Sequence, residues 1–554
     1  MDPNDEESTM KNLIPVRTCA LLCLIILPVA LILGQDKPLT RAESTDYRET
    51  SLHADVMQFI NDLQQLTPLI RVESMGTSAE GRSIPLLIVG NPVPASPADL
   101  RLDGRMPVYI QANIHAGEVE GKEAALMLVR DILLNGPSAY LEKLVLLIAP
   151  VFNADGNEKL GNNRRDNGPE LAGIRYNGMN LDLNRDGMKQ ESPELKALMC
   201  NVLNRWDPAV MVDCHTTNGS YHEEPVTYVW PLNPNGDQGM IEYMRSTMLP
   251  EIDEILEKQY NTLSIPYGNY MSWQDPEKGW SPAGPEPRYL TNYIGMRNRM
   301  AILLENYAHA DFKTRVWGNY YFLKSLLDFC RDNKKTIVGI ITEADRKTIA
   351  RGLTPLSNDS IAVSFSQQVF GENITILGYE MDEYTDERGR RRLRPSERQR
   401  TYSVPLYHDW VKKECVPRPH AYLITYPDPA ILRNLLQHGI VVEALQKPVT
   451  LTIEAFEVKE LNPRETPYQG HYINDISGTA KMTEMTFAPG TYYITTAQPL
   501  GNLVTELLEP RASDGLIAWN FFDRYLSRQW GRQASTAPIY KLYGTPNLVK
   551  RTIK

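Results

Sequence analysis

Pro107-Val-Tyr-Ile-Gln-Ala-Asn-Ile-His115-Ala-Gly-Glu118 leads directly into a proline-free amphipathic segment, Gly121 to Leu134. The first six residues read as a short buried strand and the later segment as a helix. The same alternation continues outward on both sides. Val56 to Leu63 has helical spacing, and Ile84 to Gly90 is an apolar strand with its proline at the start, where a strand tolerates one. Leu144 to Pro150, Ala209 to Cys214 and Met300 to Glu305 are further apolar runs. Strands that are apolar throughout and separated by helices belong in a sheet buried on both faces. The expected fold is α/β, a mixed and mostly parallel central sheet flanked by helices, closing with a helix near Tyr320 to Asp332.

Beyond about Lys335 the pattern becomes strand-like, as in Val449 to Phe456 and Thr491 to Thr496. The expected division is a catalytic domain over 45–335 and a smaller β-rich C-terminal domain over 336–554. Asp386 to Arg400 holds seven arginines. It reads as a solvated loop between two strands, with an electrostatic binding patch as the alternative. At the other end, Lys11 and Arg17 precede Thr18 to Gly34, which carries no charge. A positive segment followed by an apolar one has the shape of a secretory signal over 1–34, implying a secreted or periplasmic protein. A retained membrane anchor through 18–34 is the competing reading. The 554 residues are 42% hydrophobic and 23% charged with a net charge of −10, a globular balance that disfavours nucleic acid as a partner. Of six cysteines, Cys19 and Cys23 lie inside the apolar segment, and the rest are too scattered for a disulfide scaffold.

His115 and Glu118 are three apart on a turn that follows a strand, so both can reach one ion. With nine histidines in the chain, one such pair is close to what chance gives. Position adds weight, because sites in α/β sheets lie beyond the carboxyl ends of strands. A catalytic zinc takes three protein ligands and keeps one position open. His215 ends the apolar run Val212-Asp-Cys and supplies a third ligand. Alone it would read as a packed strand-end histidine. Glu305 ends the run Ile302-Leu-Leu, where a carboxylate is unexpected unless it is paired or functional.

With Asn180-Leu-Asp182-Leu-Asn184-Arg185-Asp186 the ordered set resembles the zinc metallocarboxypeptidases, the carboxypeptidase A-like peptidases. The form is that of a bacterial-type secreted member with a C-terminal extension. Gly76-Thr-Ser-x-Glu80-Gly-Arg82 and Pro150-Val-Phe-Asn153-Ala-Asp155-Gly156 share the likeness, which spans roughly Asp46 to Asp332. The resemblance implies a single zinc ion held by His115, Glu118 and His215, with Glu305 as general base and acid. It implies that Asn184 and Arg185 bind the substrate's free carboxylate, as suits a guanidinium fork. Arg164 or Arg165, with Arg165 preferred, stands where the family keeps an oxyanion-stabilising arginine. Tyr289 or Tyr293, with Tyr293 preferred, stands where it keeps a tyrosine that closes over substrate. Asp186 departs from the more familiar Asn-Arg-Asn and puts strict carboxypeptidase action in question.

The expected activity is therefore zinc-dependent hydrolysis of a peptide bond, releasing C-terminal residues from a peptide or peptide-like substrate. A zinc amidase or endopeptidase acting on cell-wall, isopeptide or acyl-amino-acid links is the second reading, and a non-catalytic peptide-binding relative the third. Asp182-x-Asn184-x-Asp186-Gly187 also resembles a calcium loop, but its twelfth position is Pro193. The chain contains neither a G-x-S-x-G nor a P-loop motif.

Overall fold

Eight strands form the central sheet of the computed structural model: β1 (Ile70–Thr77), β2 (Ser83–Val89), β3 (Met106–Ala112), β4 (Leu144–Ala149), β5 (Val210–Thr217), β6 (Val226–Val229), β7 (Ser264–Pro266) and β8 (Met300–Tyr307). Their spatial order is β1-β2-β4-β3-β5-β8-β6-β7. The middle four, β4-β3-β5-β8, run parallel, while β1, β2 and β6 pair antiparallel at the flanks. The structure describes residues 37–135, 139–163, 167–217, 219–526 and 536–553. The signal or anchor stretch through Gly34 lies outside them. Among the described residues no helix is long and apolar enough to cross a membrane.

Side chains alternate across each strand, and both faces are buried. Val108, Ile110, Val212 and Ile302 pack on one face with helices α1 (His53–Leu66), α2 (Glu120–Leu134) and α3 (Phe312–Leu353). Tyr109, Met211 and Ala301 pack on the other face with Leu195, Tyr293, Tyr422, Ile494 and Leu503. The C-terminal region therefore supplies part of one face's cover. Helix α3 runs unbroken across position 335, where the sequence suggested a division, and Pro38–Lys554 forms one compact unit. The β-rich character expected after 336 is present as a seven-stranded sheet that includes Val449–Pro463 and Tyr492–Thr495.

The arginine-rich segment differs from its expected loop. Strands β9 (Ile374–Thr385) and β10 (Arg391–Val404) form one long hairpin with only a short turn between them. Four of its arginines are closely matched by acids: Arg390 and Arg392 with Asp386, Arg398 with Glu380 and Asp382, and Arg400 with Glu277.

The position of the site follows from the sheet. β3 has β4 on one side and β5 on the other, which makes a crevice beyond its carboxyl end. Helix α2 starts there and lies close to β5 because Gly121 has no side chain; a Cβ would stand 2.4 Å from Cβ of Cys214. A buried ion pair, Glu120 with Arg315 at 3.0 Å, ties α2 to α3.

Candidate metal centre and active site

One residue past the end of β3, the chain turns sharply at Asn113, whose φ of +65° is left-handed. Asn tolerates that region, and its amide donates to the carbonyls of Ala116 and Glu118 at 3.2 and 3.4 Å. The turn presents His115, and the backbone N–H of Glu118 donates to the His115 carbonyl at 2.9 Å. His215 comes from β5. In the β5–β8 ladder it stands directly opposite Glu305. Paired residues of neighbouring strands point to the same face about 4.8 Å apart, so Glu305 lies beside His215.

The inner donors converge. His115 Nδ1 lies 3.1 Å from Oε1 of Glu118, His215 Nδ1 lies 3.0 Å from Oε2 of Glu118, and the two Nδ1 atoms are 3.1 Å apart. All three residues are buried. A tetrahedral zinc with bonds of about 2.1 Å separates its donors by roughly 3.4 Å, close to this spacing. The outer nitrogens face carboxylates: His115 Nε2 is 3.0 Å from Oδ1 of Asp182, and His215 Nε2 is 2.9 Å from Oδ2 of Asp213. With His115 Nε2 bonded outward to Asp182, its Nδ1 lone pair faces Nδ1 of His215 and the Glu118 carboxylate. Two imidazole nitrogens and a carboxylate oxygen gathered at one buried point are a donor set that fits a divalent metal of the zinc type.

The site favours positive charge. Burial works against the charge of Glu118, yet His115 and His215 hold its carboxyl well below the usual range. Burial likewise opposes the charge of Asp182, and His115, Arg185 and Arg175 outweigh it. His215 is raised well above an ordinary imidazole, because Asp213 and Glu118 overcome its burial.

Arg175, which sequence reasoning passed over, reaches this centre. Its Nε donates to Oδ2 of Asp182 at 2.8 Å, and its Nη1 lies 3.4 Å from Oε1 of Glu118. Glu305 is also near enough to raise its pKa. Arg175 lines a cavity of about 320 Å³ together with His115, Glu118, Asn163 and Gly173. Arg165 lies outside the described residues.

Asn184 and Arg185 follow Asp182, whose side chain accepts from the Asn184 N–H at 3.0 Å. Oδ1 of Asn184 accepts from the Leu290 N–H at 2.8 Å, which turns its amide nitrogen outward as a donor. The Arg185 guanidinium stacks over the Tyr289 ring at 4.5 Å. Asp186 turns away from Arg185 and bonds Lys189 at 2.7 Å and Ser192 at 2.6 Å. It neither neutralises that arginine nor joins Asp182 around a calcium ion. Tyr293 is fully buried, its hydroxyl bonded to Nδ1 of His438 at 2.7 Å. The structure thus brings Tyr289 to the centre and leaves Tyr293 in the core. Tyr267 also approaches: Glu305 and Glu118, after burial itself, raise its hydroxyl pKa, and Arg185 opposes them.

The sequence model of the family described as zinc carboxypeptidase matches residues 56–221. That span holds His115, Glu118, Arg175, Asn184, Arg185 and His215, and it stops short of Glu305. Carboxypeptidase 2 of Trichophyton rubrum is 23% identical over 482 residues, covering 81% of this chain and 80% of that one. Probable carboxypeptidase 2 of Arthroderma benhamiae is 22% identical, covering 79% of each. Among solved structures, a putative carboxypeptidase A from Shewanella denitrificans is 18% identical with a TM-score of 0.38, covering 51% of this chain and 69% of its own.

Proposed function

We propose that this chain, which is similar to the zinc carboxypeptidase family through residues 56–221, releases residues from the carboxyl end of peptides. The supporting observation is the convergence of His115, Glu118 and His215 on one point with Glu305 beside them on the neighbouring strand. Zinc held by those three residues supplies Lewis acidity towards the scissile carbonyl and lowers the pKa of water beside it. The Glu305 carboxylate takes a proton from the attacking water and passes it to the departing amine. Arg175, held by Asp182, faces the negative charge that develops on the carbonyl oxygen. Arg185 grips the free α-carboxylate, with the Tyr289 ring supporting its guanidinium and the Asn184 amide donating alongside.

We assign the chemistry to residues 45–335 and a supporting role to 336–554, with export directed by the first 34 residues. Two measurements test the function. A Glu305→Gln protein retains zinc and loses roughly 10²- to 10⁴-fold in turnover, as expected for removal of a general base. A peptide with a free carboxyl terminus is shortened from that end, while its amidated twin survives. Cleavage of both at an internal bond would instead support the endopeptidase or amidase reading.

A further inference from the structure

A second cavity, of about 450 Å³, opens just past the strands that carry the active centre. One wall is aromatic. Tyr221 follows β5 and stacks on His309, which follows β8, with ring centroids 4.2 Å apart. Trp273 meets Tyr221 edge-on at 5.9 Å. The opposite wall is the β9–β10 hairpin, through Glu383, Arg391 and Leu393. Glu383 and Leu393 are paired across the hairpin, and Arg391 is two residues along from Leu393, so all three share one face. His309 is four residues beyond Glu305, so the cavity begins within about 13 Å of the catalytic carboxylate along the strand direction.

The hairpin is fixed in place over this opening. The Glu223 N–H donates to the Leu377 carbonyl at 2.7 Å, and the Leu377 N–H donates to Oε1 of Glu224 at 2.9 Å. Ile376, Tyr402 and Val404 are buried against Tyr270 and Trp280. Arg391 has 87% of its side chain exposed, and its nearest acid, Glu383, is 3.9 Å away and itself 67% exposed. Such a pair is loose and easily exchanged for another carboxylate. The other basic wall residue, Arg392, is engaged by Asp386.

We propose that this cavity is a substrate subsite built by the C-terminal region, one that selects peptides with an acidic side chain upstream of the scissile bond. The inference rests on the carboxypeptidase reading. A substrate gripped at its free carboxylate by Arg185 has only its amino-terminal part left to enter a second cavity. There the aromatic wall packs against the peptide, and Arg391 meets a carboxylate.

The test compares zinc-loaded wild-type protein on three substrates that share the same C-terminal residues: an N-blocked dipeptide, a longer peptide with upstream Glu, and its twin with upstream Lys. The ratio of kcat/KM for the Glu peptide over the Lys peptide is expected to be about three- to fivefold at low salt, in keeping with exposed charge pairs. It shrinks towards one at high salt, and it inverts in Arg391→Glu. Arg391 is a surface residue, so this variant does not endanger folding. A ratio of one in the wild type, or an unchanged ratio in Arg391→Glu, would overturn the subsite while leaving the peptidase reading intact. Failure to hydrolyse even the blocked dipeptide would overturn both.

Discussion

Asp182 and Asp213 stand behind the two histidines of the candidate metal centre. Each lies about 3 Å from the outer nitrogen of its histidine. Asp213→Asn is expected to weaken zinc affinity by about 10- to 100-fold without unfolding the protein, as read by competition with a chelator. Unchanged affinity would mean that His215 is oriented by packing alone. Arg175→Ala should keep its zinc and lose about 10²- to 10³-fold in kcat; a change confined to KM would move Arg175 into substrate binding. The meeting of His115, Glu118 and His215, with Glu305 beside them, was legible in the sequence because apolar strands announce their own ends, where polar groups gather. Arg175 was not, since it sits in an irregular loop without periodicity. Its usable signal was proximity to Asp182, seven residues on, which shares its hydrogen bond. Tyr289 and Tyr293 are one helical turn apart, so spacing could not separate them. Burial does, because Tyr293 has no solvent exposure and a bonded hydroxyl.

Helix α2 and strand β5 meet at Gly121, and their closeness brings Glu118 to His215. Gly121→Ala places a methyl group 2.4 Å from Cβ of Cys214, one residue before His215. A stability loss of about 1–3 kcal/mol is expected from such overpacking, seen as a lower denaturant midpoint. A midpoint equal to wild type would show that the helix can shift without cost. Elements with strong apolar patterning, such as β3, β4, β5 and β8, were readable from sequence within a few residues. The β9–β10 hairpin was not, because its outer half is charged and alternates weakly. Its strands are held by pairing with each other and by acids opposite the arginines, contacts that no local pattern encodes.

Across the whole molecule, the C-terminal region is bound into the catalytic fold. A chain ended at residue 335 cuts α3 midway and uncovers the face where Tyr422, Ile494 and Leu503 meet the sheet's layer. It is expected to be insoluble or unfolded; a soluble, active fragment would show instead that the catalytic part folds alone. The sequence signalled a change of character near 335, but not that both sides share one core, because contacts across such distances leave no periodic trace. Glu506 lies deep in that shared region, and burial, with Asp514 adding to it, pushes its pKa up to about 8 from 4.5. Between these values the folded protein keeps a proton that the unfolded chain has released. The stability this gives is complete below about pH 4.5 and drains as pH rises towards 8. Tm should therefore fall over that range, and less steeply in Glu506→Gln; identical slopes would remove Glu506 as the cause. Elemental analysis of purified wild type beside His215→Ala reads the metal centre itself. About one zinc per chain, lost in the variant, is the expected result. A well-folded wild type that holds no zinc and cannot be reloaded with it would rule out the metal centre.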